Sequence, residues 1–234
     1  MLLLAFETSA KAASVALFED QKLLAQQYQN TAMTHSQTLL VMARDLLAQC
    51  GITPQQVNAV AVANGPGSFT GIRIGAAAAK GFAWGNQLPV YGVSTLEAMA
   101  LGLGIHQGIV CPVMDARRNQ VYNGIFRFDS GKCTRLQEDR AISLEDLEKE
   151  LKNFQESIFL VGDGSILCYN TLLKSVPQLI LPTEHRMQQQ AAGVGLAALQ
   201  RIAAGDPGDG STMVPNYLRL SQAERERLER SQNT

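Results

Sequence analysis

The sequence predicts an α/β protein made of two successive halves that repeat one order of elements: three strands, then helix, strand, helix, strand, helix. Three observations carry that expectation. Short apolar runs of strand length alternate with longer segments whose apolar residues recur at helical spacing. The same order occurs twice with no repeat of the sequence itself, and the first strand of each half ends on an acidic residue, Glu7 or Asp115. With 234 residues, 46% of them hydrophobic, the chain can fill a core in both halves.

In the first half, residues 2–8, 12–19 and 23–29 read as strands joined by short polar turns. A helix follows over 35–50. Thr34 and Gln37 have capping-box spacing, Leu39, Leu40, Ala43, Leu46, Leu47 and Cys50 form the apolar stripe, and Gly51 ends it. Residues 57–63 suit an interior parallel strand, after which Gly65, Pro66 and Gly67 turn the chain. A helix over 70–84 begins at once, capped by Thr70 or Ser68. Strand 89–92 and a helix capped by Ser94 with Glu97 close the half.

The second half reads as strands 109–115, 120–128 and 133–139, helix 143–153, strand 158–161, helix 165–174, strand 178–181 and helix 187–203. Repeated mixed topology predicts duplicated lobes, 1–104 and 105–220, with Glu7 and Asp115 facing each other across a central cleft. That is the layout of the actin-like ATPase fold (ASKHA, ribonuclease H-like), shared with sugar kinases. A Gly- and Asp-rich stretch over 205–211 ends the globular pattern, and Val214-Pro215-Asn216-Tyr217-Leu218-Arg219 reads as an ordered strap with apolar anchors. Residues 221–234 read as a frayed charged helix, since Glu and Arg alternate there instead of forming a basic RNA-binding run.

The helix over 70–84 has only Arg73 and Lys80 as charges, seven residues apart on one face. Gly71, Gly75 and Ala79 recur every fourth residue, with Ile72 and Ala76 beside them. A helix apolar on most sides is buried on most sides, either in the core or against another subunit. Arg73 opposes the helix dipole in the first turn, so it either snorkels to solvent or meets a carboxylate or phosphate. The glycine-rich loop before it is either a tight, well-capped connection or an anion cradle that lacks a P-loop lysine.

Twenty Lys plus Arg against 21 Asp plus Glu give a net charge of −1, so no overall field recruits nucleic acid or membrane. The apolar start lacks a basic lead and meets Glu7 too soon for a signal peptide, so a cytoplasmic protein is expected. Cys50, Cys111, Cys133 and Cys168 have no CxxC spacing and read as reduced thiols. His35, His106 and His185 are isolated, so no metal site is expected. His35, just after the expected cap, packs at its helix start or serves an interface or ligand. Candidate nucleotide or cleft residues are Glu7, Thr8 and Ser9, Asp115 and Arg117, and Gly162 and Gly164 of the Gly162-Asp163-Gly164-Ser165 turn, all at expected strand ends. Turn chemistry accounts for the same residues equally simply.

Phe6-Glu7-Thr8-Ser9, His35-Ser36-Gln37, the run GPGSFTGIRIG over 65–75, Gly92-Val93-Ser94-Thr95-Leu96, Asp115-Ala116-Arg117 and Pro215-Asn216-Tyr217-Leu218-Arg219 together resemble the bacterial TsaB (YeaZ) family over nearly the whole chain. The resemblance implies the actin-like fold and a non-catalytic role, beside the paralogue TsaD and the ATPase TsaE, in forming N6-threonylcarbamoyladenosine at position 37 of tRNAs that read codons beginning with A. TsaD-like enzymes carry a metal-binding HxxxH where this chain has Ser94-Thr95-Leu96-Glu97-Ala98-Met99. The resemblance therefore implies no tightly bound cofactor, with ATP or ADP at most at a subunit boundary. It also implies tRNA contact only through the complex, and a homodimer when the chain is alone.

In that family the first-lobe helices meet the partner, which here assigns the contact to helices 35–50 and 70–84. The expected interface residues are His35, Leu39, Met42, Leu46, Gly71, Ile72, Arg73, Gly75, Ala76, Ala79 and Lys80. On this reading Gly75→Arg or Ala79→Glu breaks the complex without unfolding the lobes. The alternatives are a stand-alone nucleotide-dependent kinase of the same fold and a peptidase acting on a protein partner, although no nucleophile and base can be named for the latter.

Overall fold

The first strand is apolar at every position from Leu2 to Phe6, and a strand with no polar face must be covered on both sides. In the computed structural model, which describes residues 1–31 and 33–219, it is the middle strand of a five-stranded sheet. That sheet comprises β1 (Leu2–Glu7), β2 (Ala13–Glu19), β3 (Lys22–Gln29), β4 (Ala59–Gly65) and β5 (Val90–Ser94), ordered β3-β2-β1-β4-β5. The second sheet, β6 (Gly108–Asp115), β7 (Gln120–Asp129), β8 (Lys132–Ser143), β9 (Ile158–Val161) and β10 (Leu179–Ile180), has the order β10-β9-β6-β7-β8. Pairing is repeated as well. β1 is antiparallel to β2 and parallel to β4, and β6 is antiparallel to β7 and parallel to β9. The duplicated actin-like fold expected from the element order is the fold observed.

Alternation along β1 sorts its side chains into two cores. Leu4 and Phe6 face α1 (His35–Gln49) and α2 (Phe69–Asn86), joining Val15, Leu39, Leu46, Val62 and Ala79. Leu3 and Ala5 face a central core shared by both sheets, with Phe18 and Ala61 from the first and Val110, Met114 and Phe126 from the second. Between the sheets lie α3 (Thr95–Leu103) and α7 (Ala191–Ala203). On the far side of the second sheet, α4 (Leu144–Leu151) and α5 (Ser165–Leu172) cover Ile109, Cys111, Val113 and Leu160.

Helix α7 belongs to the second half in sequence yet packs on β1, β2, β4 and α3 of the first. Its small residues permit this: a β-carbon on Gly193 would stand 2.0 Å from the Ala98 carbonyl oxygen. The two sheets use strands from either side of residue 104, but the helices do not follow that division, because the chain returns to its first sheet at the end.

Several local expectations shift. Thr34 occupies the cap position of α1 without a side-chain cap bond, so the Thr34–Gln37 capping box does not form. Ser68, not Thr70, caps α2, accepting from the Gly71 N–H at 3.2 Å. The single helix expected over 187–203 is instead a turn, α6 (Glu184–Met187), and α7, separated where Gln188 and Gln190 are extended. Side-chain bonds hold that break: Gln26 Nε2 donates to Gln190 Oε1 and Gln189 Nε2 to Asp163. All four cysteines are free thiols. Among the described residues, no helix is long and apolar enough to cross a membrane, and no group of three or more His, Cys, Asp or Glu could hold a metal ion. The expected tail over 221–234 lies outside the described residues.

Candidate functional site

A cleft of about 400 Å³ opens where the β1–β2 turn and the α2 start of one lobe meet the β6–β7 hairpin of the other. Of the candidate cleft residues, Ser9, Asp115 and Arg117 line it, with Lys11, Ser68 and Asp163. Glu7 and Thr8 do not reach it. They are 1% and 0% exposed and lie beneath its floor. Glu7 Oε1 accepts the Ser9 N–H at 2.5 Å, and burial pushes its carboxyl up to about 7 against those stabilising bonds. Thr8 Oγ1 donates to the Gly71 carbonyl. Gly162 and Gly164 stand behind the wall, where they let their loop approach β6: a β-carbon at Gly162 would stand 2.2 Å from Val113 O. Glu7 and Asp115 therefore do not face each other across open space.

The cleft's backbone donors are turned inward. Ser68 N–H donates to Ser9 O at 2.7 Å, Gly71 N–H to Ser68 Oγ, Ser9 N–H to Glu7, and Arg117 N–H to Asp115 Oδ1 at 2.7 Å. These bonds make the loop over 65–71 a tight capped connection that also fixes the β1–β2 turn, and they leave the first-turn N–H groups of Phe69 and Thr70 without an intrahelical acceptor. Asp163 is raised by burial, with Asp115 adding to the rise and the Gln189 amide opposing it. In the hairpin, Arg117, Arg118 and Asn119 all have left-handed φ, and Arg117 is 86% exposed with its guanidinium 3.7 Å from Asp115. The positions sequence reasoning passed over are Lys11 and Arg219. Only folding carries Arg219 back to a cleft formed a hundred residues earlier.

The two first-lobe helices present a different face from the expected one. Leu39, Met42, Leu46, Ile72, Ala76 and Ala79 are buried in their own lobe, as are Gly71 and Gly75. The glycines clear the end of β1: a β-carbon on Gly71 would lie 2.0 Å from Thr8 O, and on Gly75 2.4 Å from Thr8 Oγ1. The small-residue stripe thus serves close approach to the chain's own sheet. His35 is half-buried, its Nε2 2.8 Å from Ala10 O, so it pins the β1–β2 turn to the start of α1. Lys80 is half-buried.

The outward face carries exposed Leu40 and Val41 on α1 and Arg73, Ala77, Gly81 and Trp84 on α2. Trp84, the chain's one tryptophan, is 88% exposed. Trp84 lines a hollow of about 650 Å³ with Lys80, Leu88 and Val90, and a separate apolar groove of about 490 Å³ is lined by Leu40, Leu47, Ile52, Pro54 and Phe82. Arg73 is held by aromatic neighbours. Its Nε donates to Tyr217 Oη at 2.8 Å, and Tyr217 stacks on Phe69 at 4.6 Å.

At the start of α3, Ser94 Oγ bonds Asp139 and caps the helix at Glu97 N–H. Arg135 bridges Asp139 and Glu97, the latter at 3.1 Å, and lies over the Phe126 ring. These side chains tie α3 to β8 of the other lobe.

A family profile described as TsaD, tRNA N6-adenosine threonylcarbamoyltransferase, matches residues 22–227. The tRNA threonylcarbamoyladenosine biosynthesis protein TsaB of Bacillus subtilis is 29% identical, over 98% of this chain and 99% of that protein. TsaB of Escherichia coli is 37% identical, over 70% of this chain and 72% of that protein. Among solved structures, a Pseudomonas aeruginosa protein described as similar to peptidase YEAZ superposes with a TM-score of 0.77 at 28% identity, covering 93% of this chain and 99% of that one. For the fold alone, the activator of 2-hydroxyisocaproyl-CoA dehydratase from Clostridium difficile gives 0.50 at 9% identity, over 88% and 97% of the two chains.

Proposed function

The chain belongs to the TsaB (YeaZ) family of tRNA threonylcarbamoyladenosine biosynthesis proteins, and from that premise we propose that it is an accessory subunit with no transferase activity of its own. Its work is in the cytoplasm beside TsaD and TsaE, in forming N6-threonylcarbamoyladenosine at position 37 of tRNAs that read codons beginning with A, and it meets tRNA through that complex. One observation carries the non-catalytic part. Where TsaD-like enzymes are expected to present HxxxH, Ser94 and Glu97 are occupied by Asp139 and Arg135 in a contact between lobes.

The exposed face of α1 and α2 is the contact we assign to TsaD or, in its absence, to a second copy. Exposed apolar side chains beside a groove are the usual anchors of such a surface, and tryptophan is the most common of them. The cleft fits a nucleotide poorly, because the N–H groups of Ser9, Ser68 and Gly71 already have partners within the chain. Of the side-chain cations lining it, Lys11, Arg117 and Arg219, two are already engaged, Arg117 with Asp115 and Arg219 with Ala116 O. ATP or ADP is thus a ligand of the subunit boundary and not a tight ligand of this chain.

The test is tRNA modification reconstituted from purified components with and without this chain. Product lost on its omission, and none from the chain alone, is expected; product from the chain alone overturns the accessory reading. Titration of the isolated chain with ATP and magnesium separates it from a kinase, which would bind tightly without a partner.

A further inference from the structure

Residues 213–219 cross from one lobe to the other at the mouth of the cleft. Met213 is buried in the first-lobe core. Asn216 N–H donates to Asn64 O at 2.6 Å, and the Asn216 carbonyl packs so close to Gly65 that a β-carbon there would stand 2.4 Å away. Tyr217 stacks on Phe69 with its ring 9° from parallel and accepts from Arg73, again in the first lobe. Leu218 packs against the core shared by both sheets. Two residues beyond Tyr217, Arg219 Nη1 donates to Ala116 O at 2.5 Å, in the β6–β7 hairpin of the second lobe.

The two lobes are joined by the α3 and α7 core, which takes in Met114, Ala116 and Tyr122 at the base of the hairpin, and by the Arg135 bridge, so relative movement is left to the hairpin tip beyond them at the cleft wall. We propose that residues 213–219 are a clasp across that mouth, anchored by Tyr217 on the first lobe and latched by Arg219 on the second, and that opening of the cleft requires its release. The latch is one charge-assisted bond on a half-buried side chain, weak enough to open without disturbing either core. The anchor is also placed to report on docking, since Arg73 lies on the exposed face of α2.

Hydrogen exchange of the full chain tests this with Arg219→Ala and Tyr217→Ala. Each variant is expected to speed exchange in the hairpin peptide 115–121 by about tenfold or more while leaving the core strand peptide 57–63 unchanged. Unchanged exchange at 115–121 in Arg219→Ala overturns the clasp. So does an equal acceleration at 57–63 in both variants, which would make the strap a general contributor to stability and not a latch.

Discussion

Thr8 Oγ1 donates a 2.8 Å hydrogen bond to the carbonyl of Gly71, locking the end of β1 onto the first turn of α2. The bond forms only because α2 has no side chain at Gly71 or Gly75 to hold it off. The glycines are therefore part of the lobe's own packing.

Gly71→Ala is expected to destabilise the fold by about 3 kcal/mol, since the new methyl meets backbone and not a movable side chain. Gly81→Ala, on the open face of the same helix with nothing within 4 Å, is expected to stabilise by about 0.5–1 kcal/mol. Urea denaturation of the two variants measures both. Gly75→Arg and Ala79→Glu, read from sequence as harmless to the lobe, are expected to unfold it.

The proposed function puts association on the opposite face. Trp84→Ala is expected to change stability by less than about 0.5 kcal/mol because its side chain is 88% exposed, and Val41→Glu, at a side chain 45% exposed, by about 1 kcal/mol or less. Each is expected to weaken co-purification with TsaD by about tenfold or more. Full recovery of the complex with both substitutions present removes this face from the interface.

Glu7 makes stability depend on pH in a stated direction. Its carboxyl is raised from 4.5 to about 7 by burial, so the native state holds a proton that the unfolded chain has released. Stability from this group is fully present below about pH 4.5 and is lost as pH rises through about 7, by on the order of 3 kcal/mol. Glu7→Gln is expected to lower the difference in unfolding free energy between pH 5 and pH 8 by about 2 kcal/mol. An identical pH dependence in the two proteins contradicts the assignment.

The edge strand β5 is covered by the chain after α7. Asp209 Oδ2 accepts the Gly92 N–H at 2.6 Å, Asp209 N–H donates to Val90 O, and Arg201 bridges Asp206, Asp209 and Gly92 O. Asp209→Ala leaves the Gly92 N–H and the Arg201 guanidinium short of a partner, and a loss of about 2 kcal/mol in thermal or urea unfolding is expected. A loss no larger than that of an exposed Asp→Ala change would show that water replaces the carboxylate there.

Most of the element order was legible because it is local. Short apolar runs bounded by polar turns mark β1 through β3, helical spacing marks α1, and Gly51 and the Gly65–Gly67 turn punctuate them. Within the site, Ser9, Asp115 and Arg117 were legible as strand-end residues, whereas Glu7 was read as a cleft carboxylate although it is buried. Nothing in the neighbourhood of Glu7 distinguishes a strand end that opens to solvent from one roofed by the next turn. Arg219 was missed as a cleft residue because its strap returns from the far end of the chain.

The sequence by itself determined the duplicated actin-like fold and the family, because periodicity, turn residues and the run over 65–75 are properties of adjacent positions. Only the tertiary structure decided which side of α1 and α2 is interior, that α7 crosses back to the first sheet, and that Ser9, Ser68 and Gly71 bond their N–H groups within the chain. A stripe of small residues permits close approach to any backbone. Which backbone it meets depends on contacts between residues far apart in the chain, and here Thr8 reached Gly71 and Gly75 before any partner could.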